Sequence, residues 1–162
     1  MLEGWSEFFV AAAGAAAALA GLIIVAMSVS IDDVVKIPGM TSRAATAIAM
    51  LVLVTVVALA GLIPSQSDQA FGIEVLVLSL VGMVFALQSL WVLVRHSASS
   101  RRLIESVIKA GVSLVPFVAF AVGAVLVIGD IPGGVHLIAF GSIAAFMAAV
   151  IAAWVMLVEI RR

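Results

Sequence analysis

The chain has 162 residues, of which 65% are hydrophobic and 10% are charged, and its formal net charge is −1. A soluble domain carries about 25% charged residues, and a chain this short has too little interior to hide so much apolar surface from water. The composition therefore excludes a water-soluble globule and predicts an all-α integral membrane protein. The small net charge argues against a nucleic-acid partner. The absence of cysteine excludes disulfides and thiolate metal sites.

Five segments of the chain lack charged residues over about the 20 residues that a helix needs to cross ~30 Å of hydrocarbon. They are residues 8–31, 44–63, 75–94, 110–129 and 137–158. We predict that they form a bundle of five transmembrane helices in one domain, residues 1–162. Because no basic residue precedes the first segment, it does not resemble a signal peptide, and we expect it to be retained.

The eight basic residues predict how the five spans are oriented. They lie in the first connection, in the third connection and at the carboxyl end, which alternating spans place on one side of the membrane. Basic residues favour the cytoplasmic side, so we expect the amino terminus outside and the carboxyl terminus in the cytoplasm. The Ala- and Val-rich composition suggests a bacterial plasma (inner) membrane. The basic residues are Lys36, Arg43, Arg95, Arg101, Arg102, Lys109, Arg161 and Arg162.

The third connection contains a short amphipathic pattern at residues 101–109. Apolar residues recur there at helical spacing, and charged residues occupy the other positions. The pattern predicts a short helix able to lie on the cytoplasmic leaflet, where anionic lipid is a candidate partner. The helix either runs straight into the fourth span or bends near Gly111. Trp91 and Trp154, near the inner ends of the third and fifth spans, are typical of the headgroup level.

Small residues at every fourth position mark the first and fifth spans. In the first span Ala13, Ala17 and Gly21 form one row, and Gly14 and Ala18 form an adjacent row. In the fifth span Gly141, Ala145 and Ala149 form a row. Such rows let helix backbones approach closely. They predict helix packing, either within the chain or against a second copy or another membrane protein.

The third span contains the polar residues with the most distinctive spacing. Gln88 and Ser89 lie within the apolar segment, and Glu74 lies at its outer mouth within ~40° of Gln88 around a helix. Polar groups in hydrocarbon are costly and often functional. They either bond to a neighbouring helix or line a narrow polar path.

We find no catalytic or cofactor motif in the sequence. His96 and His136 fall on opposite sides of the predicted membrane, and there is no H-E-x-x-H zinc motif. Ser142 lies outside any G-x-S-x-G sequence. We therefore expect no enzymatic activity, no metal site and no cofactor.

The first span reads Trp5-Ser-Glu-Phe-Phe-Val, then Gly14-Ala-Ala-Ala-Ala-Leu-Ala-Gly21, then Ser28-Val-Ser30. It resembles the amino-terminal helix of a group of small, uncharacterised multi-spanning bacterial membrane proteins. The resemblance covers about the first 31 residues and implies neither an activity nor site residues.

Two classes of function fit these features. The first is a non-enzymatic structural or accessory subunit, which packs through its small-residue helix faces into a homo-oligomer or a larger membrane complex. The second is a small oligomeric channel or transporter with a path lined by the third span. The five spans contain few polar residues, which is unfavourable for a transport path and therefore favours the first class.

Overall fold

The computed structural model describes the backbone of residues 2, 4–29, 31, 40–95 and 100–160. It describes their side chains except at 40, 42–43, 89–90, 92–95, 100–113 and 155–160. Within these ranges the chain forms five α-helices and no strand, which confirms the predicted all-α class for this part of the chain. The helices are α1 (Ser6–Val29), α2 (Met40–Ala60), α3 (Asp68–Arg95), α4 (Ser100–Ile128) and α5 (Gly134–Ile160).

The start of α3 is fixed by a side-chain cap. The Ser67 hydroxyl accepts a hydrogen bond from the Ala70 N–H at 3.2 Å, and the Ser67 carbonyl accepts the Phe71 N–H at 3.1 Å. A serine in this position satisfies one of the amides that a helix start leaves without a partner. As a result α3 begins at Asp68. The connection between α2 and α3 is therefore shorter than the charges of Asp68 and Glu74 suggested.

The end of α4 is a left-handed turn. Asp130 has a φ of 54°, and the next amide, Ile131 N–H, donates to the Leu126 carbonyl at 2.9 Å. Asp130 N–H donates to the Val127 carbonyl at 3.1 Å. These two hydrogen bonds form a Schellman motif, a common way for a helix to end. Pro132 and Gly133 follow, and Gly133 has a φ of 97°. The turn reverses the chain, so that α5 runs back along α4.

Helices α2, α3, α4 and α5 form a ring, and α1 lies outside it. α2 packs against α1, α3 and α5, while α4 packs against α3 and α5. The ring therefore follows the order α2, α3, α4, α5. α1 packs mainly against α2 and touches α5 only slightly. Within the described part of the chain, one side of α1 is consequently left without a neighbour.

The interior and the exterior of the bundle are both apolar. Buried phenylalanines fill the centre, and the Phe9 and Phe71 rings meet with centroids 5.8 Å apart. On the outside, large apolar side chains such as Leu22 and Val81 are 72% and 65% exposed. A protein dissolved in water rarely exposes continuous apolar surface of this kind. The surface fits a hydrocarbon solvent.

Three helices are long and apolar enough to cross a membrane: Ser6–Val29, Asp68–Gln88 and Gly134–Trp154. Two further apolar stretches, Ala44–Ala60 and Leu114–Ile128, are shorter and belong to α2 and α4. The all-helical bundle is thus confirmed, and three of its helices have the length and the apolar composition needed to cross a membrane. The number of crossings, and the side on which each end lies, stay predictions.

The amphipathic segment 101–109 and the predicted fourth span belong to one helix. α4 runs without interruption from Ser100 to Ile128 over 29 residues and contains Pro116. A proline inside a helix removes one backbone hydrogen bond and usually bends the helix. The helix nevertheless continues through Pro116, which is fully buried against neighbouring helices.

Candidate functional site

The small-residue row of α5 lies inside the bundle. Gly141, Ala145 and Ala149 are all buried. A Cβ placed on Gly141 would be 3.3 Å from the Ala119 Cβ and 3.3 Å from the Pro116 carbonyl oxygen. Gly141 therefore lets α4 and α5 cross closely at the level of Pro116. This row is used for packing within the chain.

Other glycines that the sequence reasoning did not single out bring α4 close to both of its neighbours. A Cβ on Gly134 would be 2.9 Å from the Gly123 carbonyl oxygen, and a Cβ on Gly123 would be 2.9 Å from the Gly134 carbonyl oxygen. On the other side of α4, a Cβ on Gly72 would be 3.1 Å from the Ala124 carbonyl oxygen. Contacts this short leave no room for a side chain. The carboxyl-terminal part of α4 is thus held close to α3 and α5 at these glycines.

The small-residue row of α1 points away from the bundle. Gly14, Ala18 and Gly21 are exposed, whereas the buried residues of α1 lie on the opposite side of the helix. A Cβ placed on Gly14 or on Gly21 would meet no atom of the described residues within 4 Å. We call Gly14, Ala18 and Gly21 the α1 small face. Like the α5 row it consists of glycine and alanine, but it has no neighbour in the described part of the chain.

Of the predicted polar path, Glu74 and Gln88 do not line an interior channel within the described part of the chain. Glu74 is half-buried and accepts a hydrogen bond of 2.7 Å from the Gln66 Nε2. Gln88 is exposed on the outside of α3, and the side chain of Ser89 lies outside the described residues. The expectation that Gln88 faces protein therefore requires a second chain.

The Gln66 amide makes one strong bond and leaves one group without a partner. Its Nε2 donates to the charged Glu74, which is the favourable orientation because the amide oxygen would repel a carboxylate. Its Oε1 is buried and has no hydrogen-bond partner among the described residues. The bond holds the connection before α3 against the second turn of that helix.

His136 lies against an aromatic ring and not within a metal site. Its ring meets Trp5 edge to face, with centroids 4.8 Å apart, and Trp5 also contacts Phe8 at 5.7 Å. No group of three or more metal-binding side chains occurs among the described residues, so Asp68, Glu74, Asp130 and His136 do not form one there. His96 lies outside the described residues.

The hydroxyl groups inside the helices bond to their own backbone. Ser79 Oγ donates to the Leu76 carbonyl at 2.8 Å, and Ser142 Oγ donates to the Ile138 carbonyl at 3.1 Å. Thr55 Oγ1 donates to the Leu51 carbonyl at 2.9 Å. These bonds satisfy hydroxyls in an apolar interior without any other polar group. None of the three has an activating base in its hydrogen-bond contact.

Comparison with known proteins does not assign the chain to a family. No protein-family model, no curated protein and no solved structure matches it significantly. The resemblance of the first span to small bacterial membrane proteins therefore stays a prediction. Function has to be argued from the exposed and buried surfaces of the bundle.

Proposed function

We propose that the chain is a non-enzymatic structural or accessory subunit of a membrane assembly. It crosses the plasma (inner) membrane of a bacterium five times, with its amino terminus outside, and docks on a transmembrane helix of another subunit. That subunit is either a second copy of the chain or a different membrane protein. The α1 small face is the docking surface, and its exposure in the single chain is the observation that carries the proposal.

The energetic argument concerns two glycines inside a helix. A glycine in a helix interior costs about 1 kcal/mol relative to alanine. At Gly141 that cost is offset by the close approach of α4. At Gly14 and Gly21 no described residue of the chain offsets it. A helix from another subunit, approaching as closely as α4 approaches α5, supplies the missing contact through dispersion that lipid chains match less well.

The position of α1 in the bundle supports the same conclusion. α1 packs mainly on α2 and lies outside the ring of four helices. Its unoccupied side is therefore open to a neighbouring subunit without any rearrangement of the ring. The contacts that hold the ring do not involve Gly14, Ala18 or Gly21.

The alternative function, a channel or transporter with a path along α3, has weaker support. Glu74 is engaged by Gln66, and Gln88 lies on the outside of the bundle. A path that used both residues would have to run between subunits. Ser79, the buried polar residue of α3, already bonds to its own helix.

The proposal is tested by the mass of the protein purified in a mild detergent. We expect a particle well above the 16.7 kDa of one chain, containing either several copies or an unrelated companion. In the variant Ala18→Leu we expect monomer, because a leucine on the α1 small face holds the partner helix away. Far-UV circular dichroism should remain helical, since Leu is a good helix former.

The matched control is Val77→Leu on α3, a position that is 54% exposed and lies away from the α1 small face. It enlarges an exposed side chain without changing a small-residue row, so the mass should remain that of the native particle. A native protein that is monomeric, or an Ala18→Leu variant with an unchanged mass, would refute the docking surface.

A further inference from the structure

The outer side of α3 carries a row of valines that ends in a glutamine. Val77, Val81 and Val84 are 54%, 65% and 55% exposed, and the exposed Gln88 continues the row four residues further on. Residues at this spacing lie along one side of a helix. We call Val77, Val81, Val84 and Gln88 the α3 row. The buried residues of α3 lie on the opposite side of the helix and include Phe71, Val75, Ser79 and Ala86.

The α1 small face has the same spacing as the α3 row but residues of the opposite size. Four and then three residues separate Gly14, Ala18 and Gly21, just as they separate the three valines of α3. A spacing of seven residues over two turns is the period that keeps one helix in contact with another along its length. Small residues on one helix let larger side chains of a second helix approach closely. The two exposed surfaces are therefore complementary in shape.

The helices α1 and α3 run in the same direction. A Cβ placed on Gly61, just beyond the end of α2, would be 2.8 Å from the ring of Phe9 near the start of α1, so α1 and α2 are antiparallel. The Phe9 ring also contacts Phe71 near the start of α3. α3 then returns along α2, because a Cβ on Gly82 would be 3.6 Å from the Leu53 side chain.

The two rows also lie at the same level of the bundle. Ala18 is nine residues beyond Phe9, and Val81 is ten residues beyond Phe71. Because the two phenylalanine rings meet, Ala18 and Val81 differ in level by one residue, or about 1.5 Å. Two copies inserted in a membrane with the same orientation keep these levels. The α1 small face of one copy can therefore meet the α3 row of another at equal depth.

The polar residues of the two surfaces match as well. The Gln88 amide has no hydrogen-bond partner among the described residues, and an amide in contact with acyl chains is unfavourable. Ser28 lies on the exposed side of α1, seven residues beyond Gly21, and its Oγ donates to the Ile24 carbonyl at 2.8 Å. The same oxygen can still accept a hydrogen bond. Counted from the two phenylalanines, Ser28 is level with residue 90, about 3 Å along the helix from Gln88.

We propose that the α1 small face of one copy binds the α3 row of a second copy, with the Gln88 Nε2–H of the second copy donating to Ser28 Oγ. The proposal rests on the proposed function, in which the α1 small face docks on another subunit, and it names both that subunit and the surface it presents. Two different surfaces meet, so the contact is head to tail, and successive copies form a ring or a row in the membrane plane. Val77 falls opposite Gly14, where the missing side chain leaves room for the extra methylene of Val77→Leu.

Disulfide trapping tests which surfaces meet. The chain has no native cysteine. Ala18→Cys and Val81→Cys proteins are mixed in detergent, reconstituted together in lipid vesicles and oxidised with copper phenanthroline. We expect linked dimers with one chain of each kind, because the facing Cβ atoms come within the roughly 4 Å that a disulfide spans. Either protein alone should stay unlinked, and the double variant should give a ladder of dimers, trimers and larger species.

Val118 of α4 provides the matched control. It is a valine that is 48% exposed, and it lies at the level of Val81 because Gly82 packs on the ring of the adjacent Phe117. Ala18→Cys mixed with Val118→Cys should give no more linked dimer than either protein alone. Linkage as abundant as with Val81→Cys would mean that the copies collide without a preferred surface, which overturns the proposal.

The variant Gln88→Leu tests the polar contact. An interhelical hydrogen bond in a membrane strengthens association by roughly threefold to twentyfold. The variant should therefore dissociate at a correspondingly higher protein density when the vesicles are diluted with lipid. Energy transfer between donor-labelled and acceptor-labelled copies measures this dissociation. Association equal to that of the native protein would overturn the contact assigned to Gln88.

The remaining outcomes separate this proposal from the docking surface itself. Abundant linked dimers of Ala18→Cys alone, without mixed dimers, would overturn the proposal and show a symmetric contact between two α1 helices. Absence of any linkage in a native particle that contains a different protein would also overturn it, while the α1 small face keeps its role. Only a monomeric native protein, or an Ala18→Leu variant of unchanged mass, refutes the docking surface, so the two failures are distinguishable.

Discussion

Glycine has different structural roles at different positions of this bundle. Gly123 and Gly134 let two backbones touch, with carbonyl oxygens 2.9 Å from where each Cβ would stand, while Gly14 faces open space. In the sequence these glycines look alike, because each lies next to apolar and small residues. The spacing of Gly141, Ala145 and Ala149 indicated a packing row, but no local pattern distinguishes a row that meets its own chain from one that does not. That distinction depends on how the helices are arranged.

A pair of alanine substitutions separates the two roles. Gly134→Ala should lower the free energy of unfolding by about 1–3 kcal/mol, since its Cβ would lie 2.7 Å from the Val127 side chain and 2.8 Å from the Val127 backbone nitrogen. Gly14→Ala should leave the stability of the monomer unchanged or raise it by up to about 1 kcal/mol, because a helical alanine replaces a glycine with space around it.

Both values can be measured by denaturant unfolding in detergent, under conditions where the chain is monomeric. Equal losses in the two variants would mean that α1 also packs closely within the chain, contrary to the exposure of Gly14.

At the scale of the helices, the sequence predicted which segments are helical better than where they end. The absence of charge located all five apolar stretches, and each falls largely within a helix of the structure. α3 begins at Asp68, before the predicted third span starts at residue 75. A helix that leaves the hydrocarbon can continue with charged residues, and its boundary is then set by a cap such as Ser67. The contact of Gln66 with Glu74 was not predicted, because it depends on the chain entering α3 at Ser67, which brings Gln66 beside the second turn of that helix.

Removing the cap of α3 provides a test at this scale. Ser67→Ala should destabilise the protein by about 1 kcal/mol, because the Ala70 N–H loses its acceptor. Ser67→Asn, which keeps a side-chain acceptor at the same position, should retain most of the stability.

The measurement is thermal or denaturant unfolding of the two variants beside the native protein. If the alanine and asparagine variants are equally unstable, the hydroxyl does not act as a cap, and the start of α3 depends on packing alone.

At the scale of the whole molecule, the hydrophobic composition indicates a lipid environment, but it does not predict the arrangement of the helices. The ring of α2, α3, α4 and α5, with α1 outside it, arises from side-chain fit between segments of similar composition. The sequence offers no measure of that fit. Charge contributes a different kind of information, because the sorting of acids and bases between the ends of the bundle is visible in the sequence and predicts the orientation in the membrane.

The central proposal is that the bundle crosses the membrane five times, with the connections that contain the basic residues in the cytoplasm. Cysteine accessibility tests it most directly. The chain has no native cysteine, so single cysteines can be introduced at Gln69 and Ser99 without a background signal. In intact cells or right-side-out vesicles, a membrane-impermeant maleimide should label Gln69→Cys, and it should label Ser99→Cys only after the membrane is opened. Labelling of both positions from the same side would contradict the proposed topology.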